Sequence, residues 1–344
     1  MSIFTVGYVI RSFWPRAERK LLIFDGAPTQ AHVSLAKGLG FKMDYQGTLK
    51  HAVRFEGVGL HSGKAVVLDI LPARAGHGIT FLRTDSPQAE PVAAKVSNVT
   101  STDLSTSIGS GVNRVSTIEH LMAAFAGVGI DNAAVRVSGP EMPILDGSAA
   151  IFVERFLAVG VRRLSSTRRR FIVRKAFELR RGDKVVRVEP ASRQRYRCEI
   201  EFGSQMIGRQ AVEYVPSKAA FLKLAEARTF CHLNEVNAMR SAGLALGGSL
   251  ENAVVVTDTE VLNAEGLRGE DEFVRHKLLD AIGDFALLGG TLVGRITLCK
   301  SGHGMHAEFM HQLMKRHLEY LEIVDEDERS SEDSDVTVGA SVFG

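Results

Sequence analysis

The chain has 344 residues, of which 45% are apolar and 24% charged, and its formal net charge is +2. This length allows two domains of ordinary size with a substantial core, and the near-neutral charge argues against a dedicated nucleic-acid-binding protein. Three scattered cysteines without a C-x-x-C pair argue against a disulfide framework or a cysteine zinc site and favour a reducing cytoplasm. No stretch reaches the ~20 apolar residues that span a bilayer, so stable membrane insertion is not expected.

The first half of the patterned chain alternates short β-rich runs with helical pieces. Residues 1–42 show no clear period, which favours either a translation start upstream of the functional one or a loose extension over a third domain; the extension is assigned residues 1–44. Domain I is predicted over residues 45–165. Its strands are predicted at 66–70 and 133–137, and its helices at 116–127 and 150–158.

The second half repeats this mixture after a basic stretch, 162–170, that resembles a solvated linker. Domain II is predicted over 170–322, with an inserted module at 231–269 and a Gly-flanked loop around His303. Residues 323–344 are acidic and Ser-rich and are expected to form a disordered tail. The strands are predicted at 171–173, 184–188, 197–202, 252–257 and 293–299, and the helices at 217–227 and 273–288, with a final helix after the loop.

The predicted helix 273–288 carries a His–Asp pair at helical spacing. His276 and Asp280 lie four residues apart and therefore on one face, and Asp284 follows one turn later. Imidazole nitrogen and carboxylate oxygen both suit zinc, so the pair can share one cation. The alternative is a solvent-exposed helix face on which His276 and Asp280 form an ordinary i,i+4 charge pair, because that arrangement has the same spacing. The interleaved Leu278 and Ile282 indicate burial, however, and buried His and Asp side chains need partners.

Three further polar positions each allow two interpretations. Ser116 followed by Glu119 is typical of a capping box, which is the better-supported local reading. The alternative makes His120 a metal ligand and Glu119 a general base. His303 is either an exposed loop residue or a functional one, and the hydroxyl of Thr229 can simply bond a backbone carbonyl.

Eight short motifs follow one another along the chain: 57–63 (GVGLHSG), 116–121 (STIEHL), 144–149 (ILDGSA), 227–230 (ARTF), 243–249 (GLALGGS), 270–277 (EDEFVRHK), 280–284 (DAIGD) and 300–303 (KSGH). Taken together, these motifs resemble one family, the UDP-3-O-acyl-N-acetylglucosamine deacetylases (LpxC), zinc amidases of lipid A synthesis. The resemblance runs from Tyr45 to about residue 320, and its most specific block is 270–284. It implies an α+β fold, a two-domain βααβ sandwich whose helices pack between two outer sheets.

The resemblance also implies a ligand set and catalytic roles. Zinc would be held by His120, His276 and Asp280 with one position open to water, and Fe²⁺ could take the same ligands. Glu119 would accept the proton of the attacking water, and Thr229 and His303 would stabilise the oxyanion. His303 would then protonate the leaving amine. Asp284 would orient and charge that histidine, and Lys277 would contact the substrate.

The inserted module resembles the family's hydrophobic passage for an acyl chain, although the same side chains would also suit a plain core. The residues implied to contact substrate are Phe230, His232, Val236, Ala245, Ser249, Ala253 and Val255. Ser105 stands where some members have a cysteine near the metal, which leaves the three-ligand site intact.

The implied substrate is a UDP-linked acylated amino sugar, UDP-3-O-(3-hydroxyacyl)-N-acetylglucosamine. Loss of its N-acetyl group as acetate would be the committed step of lipid A biosynthesis for the Gram-negative outer membrane. We expect a cytoplasmic monomer that touches the inner membrane peripherally. A zinc peptidase is disfavoured because no H-E-x-x-H motif occurs. A non-enzymatic binding module would be expected to have lost Glu119, Thr229, Asp284 or His303.

Overall fold

The computed structural model describes residues 45–324. The predictions for the N-terminal extension, residues 1–44, and for the tail beyond residue 324 lie outside the described residues. Within residues 45–324, no helix has the length and apolar character needed to cross a membrane.

The described chain alternates strands with a few helices. The strands are β1 (Tyr45–Leu49), β2 (Val53–Val58), β3 (Ala65–Pro72), β4 (Ile79–Arg83), β5 (Val92–Ala93), β6 (Val99–Ser101), β7 (Ser107–Ile108), β8 (Ala133–Val137), β9 (Val161–Thr167), β10 (Arg170–Val173), β11 (Phe177–Arg181), β12 (Lys184–Glu189), β13 (Arg195–Glu201), β14 (Arg209–Tyr214), β15 (Phe230–His232), β16 (Val254–Val256), β17 (Thr291–Val293), β18 (Arg295–Cys299) and β19 (Leu321–Val324). The α-helices are α1 (Glu119–Val128), α2 (Ala150–Val159), α3 (Lys218–Ala225), α4 (Leu233–Ser241), α5 (Glu272–Phe285), α6 (His303–Lys315) and α7 (His317–Tyr320). Short 3-10 turns lie at Val96–Asn98, Gly111–Asn113 and Ala286–Leu288.

Two five-stranded sheets form the outer layers. One has the strand order β2-β3-β8-β4-β5 and the other β11-β12-β18-β13-β14. Each contains one parallel pair, β4 with β8 and β13 with β18, in an otherwise antiparallel arrangement. Alternate residues of β3 and β13 are buried, which is the pattern of a sheet with one face on the core and one towards water.

The helices fill the space between these sheets, so the α+β sandwich is confirmed. Helix α1 packs against α2, α3 and α5, and α5 also packs against β13, β14 and α6. Each large sheet draws its strands from one half of the chain. Two of the four smaller sheets of the described chain, β1-β9 and β17-β10-β19, pair strands from the beginning and the end of one half of the chain. The boundary at 165–170 and the limits of the inserted module stay predictions.

Helices α1 and α5 approach so closely that a glycine is required between them. A Cβ atom added to Gly283 would lie 2.0 Å from the carbonyl oxygen of Glu119. Because no methyl group fits that space, the first turn of α1 can lie directly on the face of α5. This contact brings the polar residues of the two helices together.

Several predicted elements need correction. The predicted helix 116–127 begins only at Glu119, and the Ser116 hydroxyl donates to the carbonyl of Pro140 at 3.1 Å. The capping box is therefore wrong. His303 does not lie in a loop but opens α6, where Gly302 is the residue before the helix.

Some element boundaries also differ from the prediction. The strand 252–257 is confined to Val254–Val256. The strand 293–299 is interrupted at Gly294, which separates β17 from β18 and where a Cβ atom would crowd the carbonyl of Glu189. Residues 323 and 324, which the prediction assigned to the tail, belong to β19, where Ile323 pairs with Phe171.

We expect Gly283→Ala to lower the free energy of unfolding in urea by about 1–3 kcal/mol, the usual cost of overpacking a core. Helix propensity alone would raise the free energy of unfolding of the alanine variant by roughly 1 kcal/mol. The sign of the measured change in this free energy therefore shows whether overpacking or helix propensity dominates. The control is Gly139→Ala, whose new methyl group meets only a Val66 methyl at 3.7 Å. A Gly283→Ala protein as stable as wild type would contradict the close packing of α1 on α5.

Candidate metal centre

Three buried side chains converge where α1 lies on α5. His276 and Asp280 come from successive turns of α5, and His120 comes from the first turn of α1. Nε2 of His276 lies 3.3 Å and Nε2 of His120 lies 3.5 Å from Oδ1 of Asp280. All three residues are at most 5% exposed. The structure thus brings together the three ligands that the resemblance implied.

The chemistry of these atoms fits a cation. Nδ1 of His276 lies 3.0 Å from the carbonyl oxygen of Ala227. A carbonyl only accepts hydrogen bonds, so Nδ1 carries the proton and Nε2 presents its lone pair to the centre, the arrangement that second-shell partners impose on metal-binding histidines. Burial lowers the pKa of His276 to about 4, which keeps this imidazole neutral, as a metal ligand must be.

Asp280 completes the fit. Lys277 donates to its Oδ2 at 2.8 Å, but the buried Oδ1 has no hydrogen-bond partner among the described residues. A buried carboxylate oxygen without a partner is costly, and here it faces two imidazole nitrogens. Two nitrogens and one oxygen from His, His and Asp, with room for a further ligand, form a donor set that suits catalytic zinc.

Glu119 lies beside the centre, next to His120 in the sequence. Its Oε2 accepts a hydrogen bond from the backbone N–H of Thr106 at 2.9 Å, and the residue is 3% exposed. Burial raises the pKa of Glu119. A carboxylate with a raised pKa is better matched to proton transfer near neutral pH than an exposed one.

A second cluster surrounds Asp284, one turn beyond Asp280. Its Oδ2 lies 2.8 Å from Nδ1 of both His303 and His306, and its Oδ1 accepts from the Thr106 hydroxyl at 2.6 Å. The Ser301 hydroxyl lies 3.0 Å from Nε2 of His306. Burial lowers the pKa of His306, so this neutral ring can donate from Nδ1 to Asp284 and accept at Nε2 from Ser301.

The Asp284 cluster holds a charged His303. Burial lowers the pKa of His303, but the Asp284 carboxylate outweighs burial and raises it to about 9. Burial raises the pKa of Asp284, but His303 and His306 outweigh it and hold that pKa well below its ordinary range. At neutral pH the two groups therefore form an imidazolium–carboxylate pair. Asp284, His303 and His306 could also converge on a cation. Both oxygens of Asp284 already have hydrogen-bond partners, however, whereas Oδ1 of Asp280 has none among the described residues.

The three possible metal ligands, Glu119 and His303 line one cavity of about 420 Å³. The sequence-predicted residues that line it are Glu119, His120, Thr229, Phe230, His232, His276, Lys277, Asp280 and His303. Thr229 is fixed at its backbone, because its N–H donates to Gly147 and its carbonyl accepts from Val254, both at 2.8 Å. Asp284 lies behind His303. The passage residues that do not line this cavity are Val236, Ala245, Ser249, Ala253 and Val255.

Sequence reasoning missed several residues of the site. His306 and Thr106 bind Asp284, and His306 follows His303 by three residues, a spacing that would have linked them if His303 had been assigned to a helix. The cavity also has unpredicted walls, which include Leu60, His61, Leu104, Phe202 and Ile207. The Phe202 ring packs on the predicted Phe230 with centroids 5.6 Å apart.

Comparison with known proteins identifies close relatives of this chain. The sequence model of the UDP-3-O-acyl N-acetylglycosamine deacetylase family matches residues 46–315. A protein of Geotalea uraniireducens named UDP-3-O-acyl-N-acetylglucosamine deacetylase is 48% identical over 275 residues, which cover 80% of this chain and 90% of the relative. A protein of the same name from Myxococcus xanthus is 43% identical over 270 residues, covering 78% of this chain and 86% of the relative.

We expect His276→Ala to abolish stoichiometric binding of zinc, because it removes one of the three expected ligands. The measurement is metal content after dialysis, together with the loss in Tm when a chelator is added to each protein. The control is His311→Ala on the exposed face of α6, which should bind zinc as wild type does. Full retention of metal by His276→Ala would contradict the ligand assignment.

Proposed function

Because the chain belongs to the UDP-3-O-acyl-N-acetylglucosamine deacetylase family, we propose that its buried centre binds zinc and hydrolyses the N-acetyl group of UDP-3-O-(3-hydroxyacyl)-N-acetylglucosamine. The products are acetate and UDP-3-O-(3-hydroxyacyl)-glucosamine, a step of lipid A biosynthesis. The observation that carries the metal assignment is Oδ1 of buried Asp280, which has no hydrogen-bond partner within residues 45–324 and lies within 3.5 Å of two imidazole nitrogens.

His120, His276 and Asp280 would hold the metal. Zinc in such a site acts as a Lewis acid and lowers the pKa of a bound water molecule towards neutrality. The same nitrogen and oxygen ligands accept Fe²⁺. Lys277 neutralises the other oxygen of Asp280, so the carboxylate is compensated on both sides once a cation binds.

Glu119 is the proposed general base. Its carboxylate lines the cavity beside His120, and the Thr106 N–H fixes its Oε2 at 2.9 Å. It would accept the proton that the attacking water loses as the water adds to the acetyl carbonyl. Its raised pKa makes it a stronger base than an exposed glutamate.

His303 is the proposed general acid. Because Asp284 keeps it protonated, the imidazolium can stabilise the negative oxygen that develops on the carbonyl, together with the Thr229 hydroxyl. It would then give its proton to the departing amine, which is a poor leaving group unless protonated. Both side chains line the cavity that contains the proposed ligands.

The substrate's acyl chain would leave the cavity past Phe230 and His232, which form part of its wall. Beyond them, Val255 in β16 pairs with Cys231 in β15, and the small side chains of the inserted module continue the proposed passage. Lys277 would contact the polar part of the substrate. A substrate with an acyl chain supports a cytoplasmic enzyme that touches the inner membrane peripherally.

Acetate release from UDP-3-O-(3-hydroxyacyl)-N-acetylglucosamine tests the proposal. We expect turnover by the protein as isolated, loss of turnover after chelation, and recovery of turnover on addition of Zn²⁺ or Fe²⁺. The activity per bound metal ion then shows which of the two metals supports the reaction better. The control variant is Glu119→Gln, which should keep its metal but release acetate ~10²–10⁴-fold more slowly because its base is missing. Undiminished turnover in the metal-free protein would contradict the metal-dependent mechanism.

The charged state of His303 predicts a pH dependence. The rate should fall as pH rises through the pKa of His303, about 9, because the acid then loses its proton. Replacing Asp284 with Asn removes the charge that raises this pKa and leaves the burial that lowers it, so the basic limb of the kcat profile should move to lower pH. The control is Asp69→Asn, which breaks an ion pair with Arg54 on the outer sheet and should leave the profile unchanged. An unmoved basic limb in Asp284→Asn would contradict the assignment of His303.

A further inference from the structure

His306 is a buried titratable residue to which the proposed mechanism gives no role. It lies near the start of α6, three residues after His303, and is 1% exposed. Its Nδ1 lies 2.8 Å from Oδ2 of Asp284, the same carboxylate oxygen that lies 2.8 Å from Nδ1 of His303. Its other ring nitrogen, Nε2, lies 3.0 Å from the hydroxyl oxygen of Ser301. Both nitrogens of His306 are thus engaged behind the proposed general acid.

The Ser301 hydroxyl determines which ring nitrogen of His306 carries the proton. Burial lowers the pKa of His306, so its ring is neutral and holds a single ring proton. A hydroxyl can donate to Nε2, whereas an ionised carboxylate only accepts, so the proton lies on Nδ1 and points at Asp284. The other tautomer would place a nitrogen lone pair against the negatively charged Oδ2 and would leave that oxygen with one donor fewer.

Three donors fix the plane of the Asp284 carboxylate. The Thr106 hydroxyl donates to Oδ1 at 2.6 Å, and the two histidines share Oδ2. Without the bond from His306, Oδ2 would be held by His303 alone, and the carboxylate would be free to turn together with the ring that it orients. Because the two histidines are three residues apart on one helix, their bonds also attach the start of α6 to α5 at two points.

The turn before α6 depends on the same side chain. Lys300 has a φ of 49°, in the left-handed region that is costly for residues other than glycine, and Gly302 offers no side chain to cap the helix. The Ser301 hydroxyl meets the ring of His306 at 3.0 Å, and the His306 N–H donates to the carbonyl of Gly302 at 3.0 Å. His306 therefore stabilises the turn from which His303 projects.

We propose that His306, with its tautomer set by Ser301, is a positioning residue for the general acid. It holds the Asp284 carboxylate in the orientation that pairs with Nδ1 of His303. The Nε2 atom of His303 then faces the candidate metal centre, 4.0 Å from Oδ2 of Asp280. His306 does not line the metal cavity, so it acts only through Asp284. This inference rests on the proposed function of His303.

Acetate release by the zinc-loaded protein tests this role with two substitutions of different chemistry. His306→Leu is similar in volume but has no donor, and it should lower kcat about 10–100-fold while KM stays within about twofold, as is usual for a lost supporting hydrogen bond. His306→Asn places an amide N–H near the position of Nδ1 and should recover most of the lost kcat.

The matched control is His311→Leu, the same substitution at an exposed position of the same helix, which should have the kcat of wild type. A wild-type kcat in His306→Leu would overturn the proposal. An equal loss of kcat in His306→Leu and His306→Asn would overturn it too, because that result would assign the loss to packing rather than to the donor.

Ser301→Ala tests the tautomer without changing the core. Ser301 is only partly buried and precedes α6. The variant should lower kcat severalfold at an unchanged KM. In the His306→Asn background the same change should have no effect, because the asparagine amide presents its donor without help from the serine. Equal losses of kcat from Ser301→Ala in both backgrounds would contradict the role of Ser301.

A measurement that does not depend on activity separates this inference from the proposed function. In zinc-loaded protein labelled with 15N-histidine, the Nδ1–H proton of His303 should exchange with water severalfold faster in His306→Leu than in wild type or His306→Asn. Equal exchange rates in the three proteins would overturn the positioning role even when acetate is released. If wild type releases no acetate, the proposed function fails, and the exchange rates still decide whether His306 holds Asp284.

Discussion

The burial of the Asp280 carboxylate is the constraint on which the rest of the site depends. A charged carboxylate in a core is tolerated only when partners compensate it. Lys277 compensates one oxygen, while the other faces His120 and His276 and has no hydrogen-bond partner among the described residues. A divalent cation would satisfy this oxygen and both nitrogens at once. The close approach of α1 and α5 at Gly283 allows His120 of α1 to meet His276 and Asp280 of α5.

In the proposed mechanism, successive turns of helix α5 would contribute to metal binding and to proton transfer. His276 and Asp280 face the metal position, and Asp284, one turn further, holds the protonated His303. The start of the helix is fixed by a buried ion pair, since Arg228 binds Glu272 at 2.9 Å and both are about 1% exposed. Arg228 directly precedes Thr229, so this pair also fixes the backbone that places Thr229 in the cavity wall.

The sequence predicts the parts of the site that depend on local spacing. The four-residue step from His276 to Asp280 fixes a shared helix face, and alternation in β3 and β13 indicates their buried faces. Glu119 shows the limit: its spacing from Ser116 fits a capping box, but its carboxylate is held by the Thr106 N–H instead. Contacts between distant segments, such as Thr106 with Asp284, leave no periodic signal. The passage residues stay predictions, because wall positions depend on how the inserted module is placed.

The most direct test of the account is a crystal structure of the metal-loaded protein with diffraction recorded above and below the zinc absorption edge. The account predicts one strong anomalous peak within about 2.0–2.2 Å of Nε2 of His120, Nε2 of His276 and a carboxylate oxygen of Asp280. A peak held instead by Asp284, His303 and His306, with the Asp280 position empty, would contradict it.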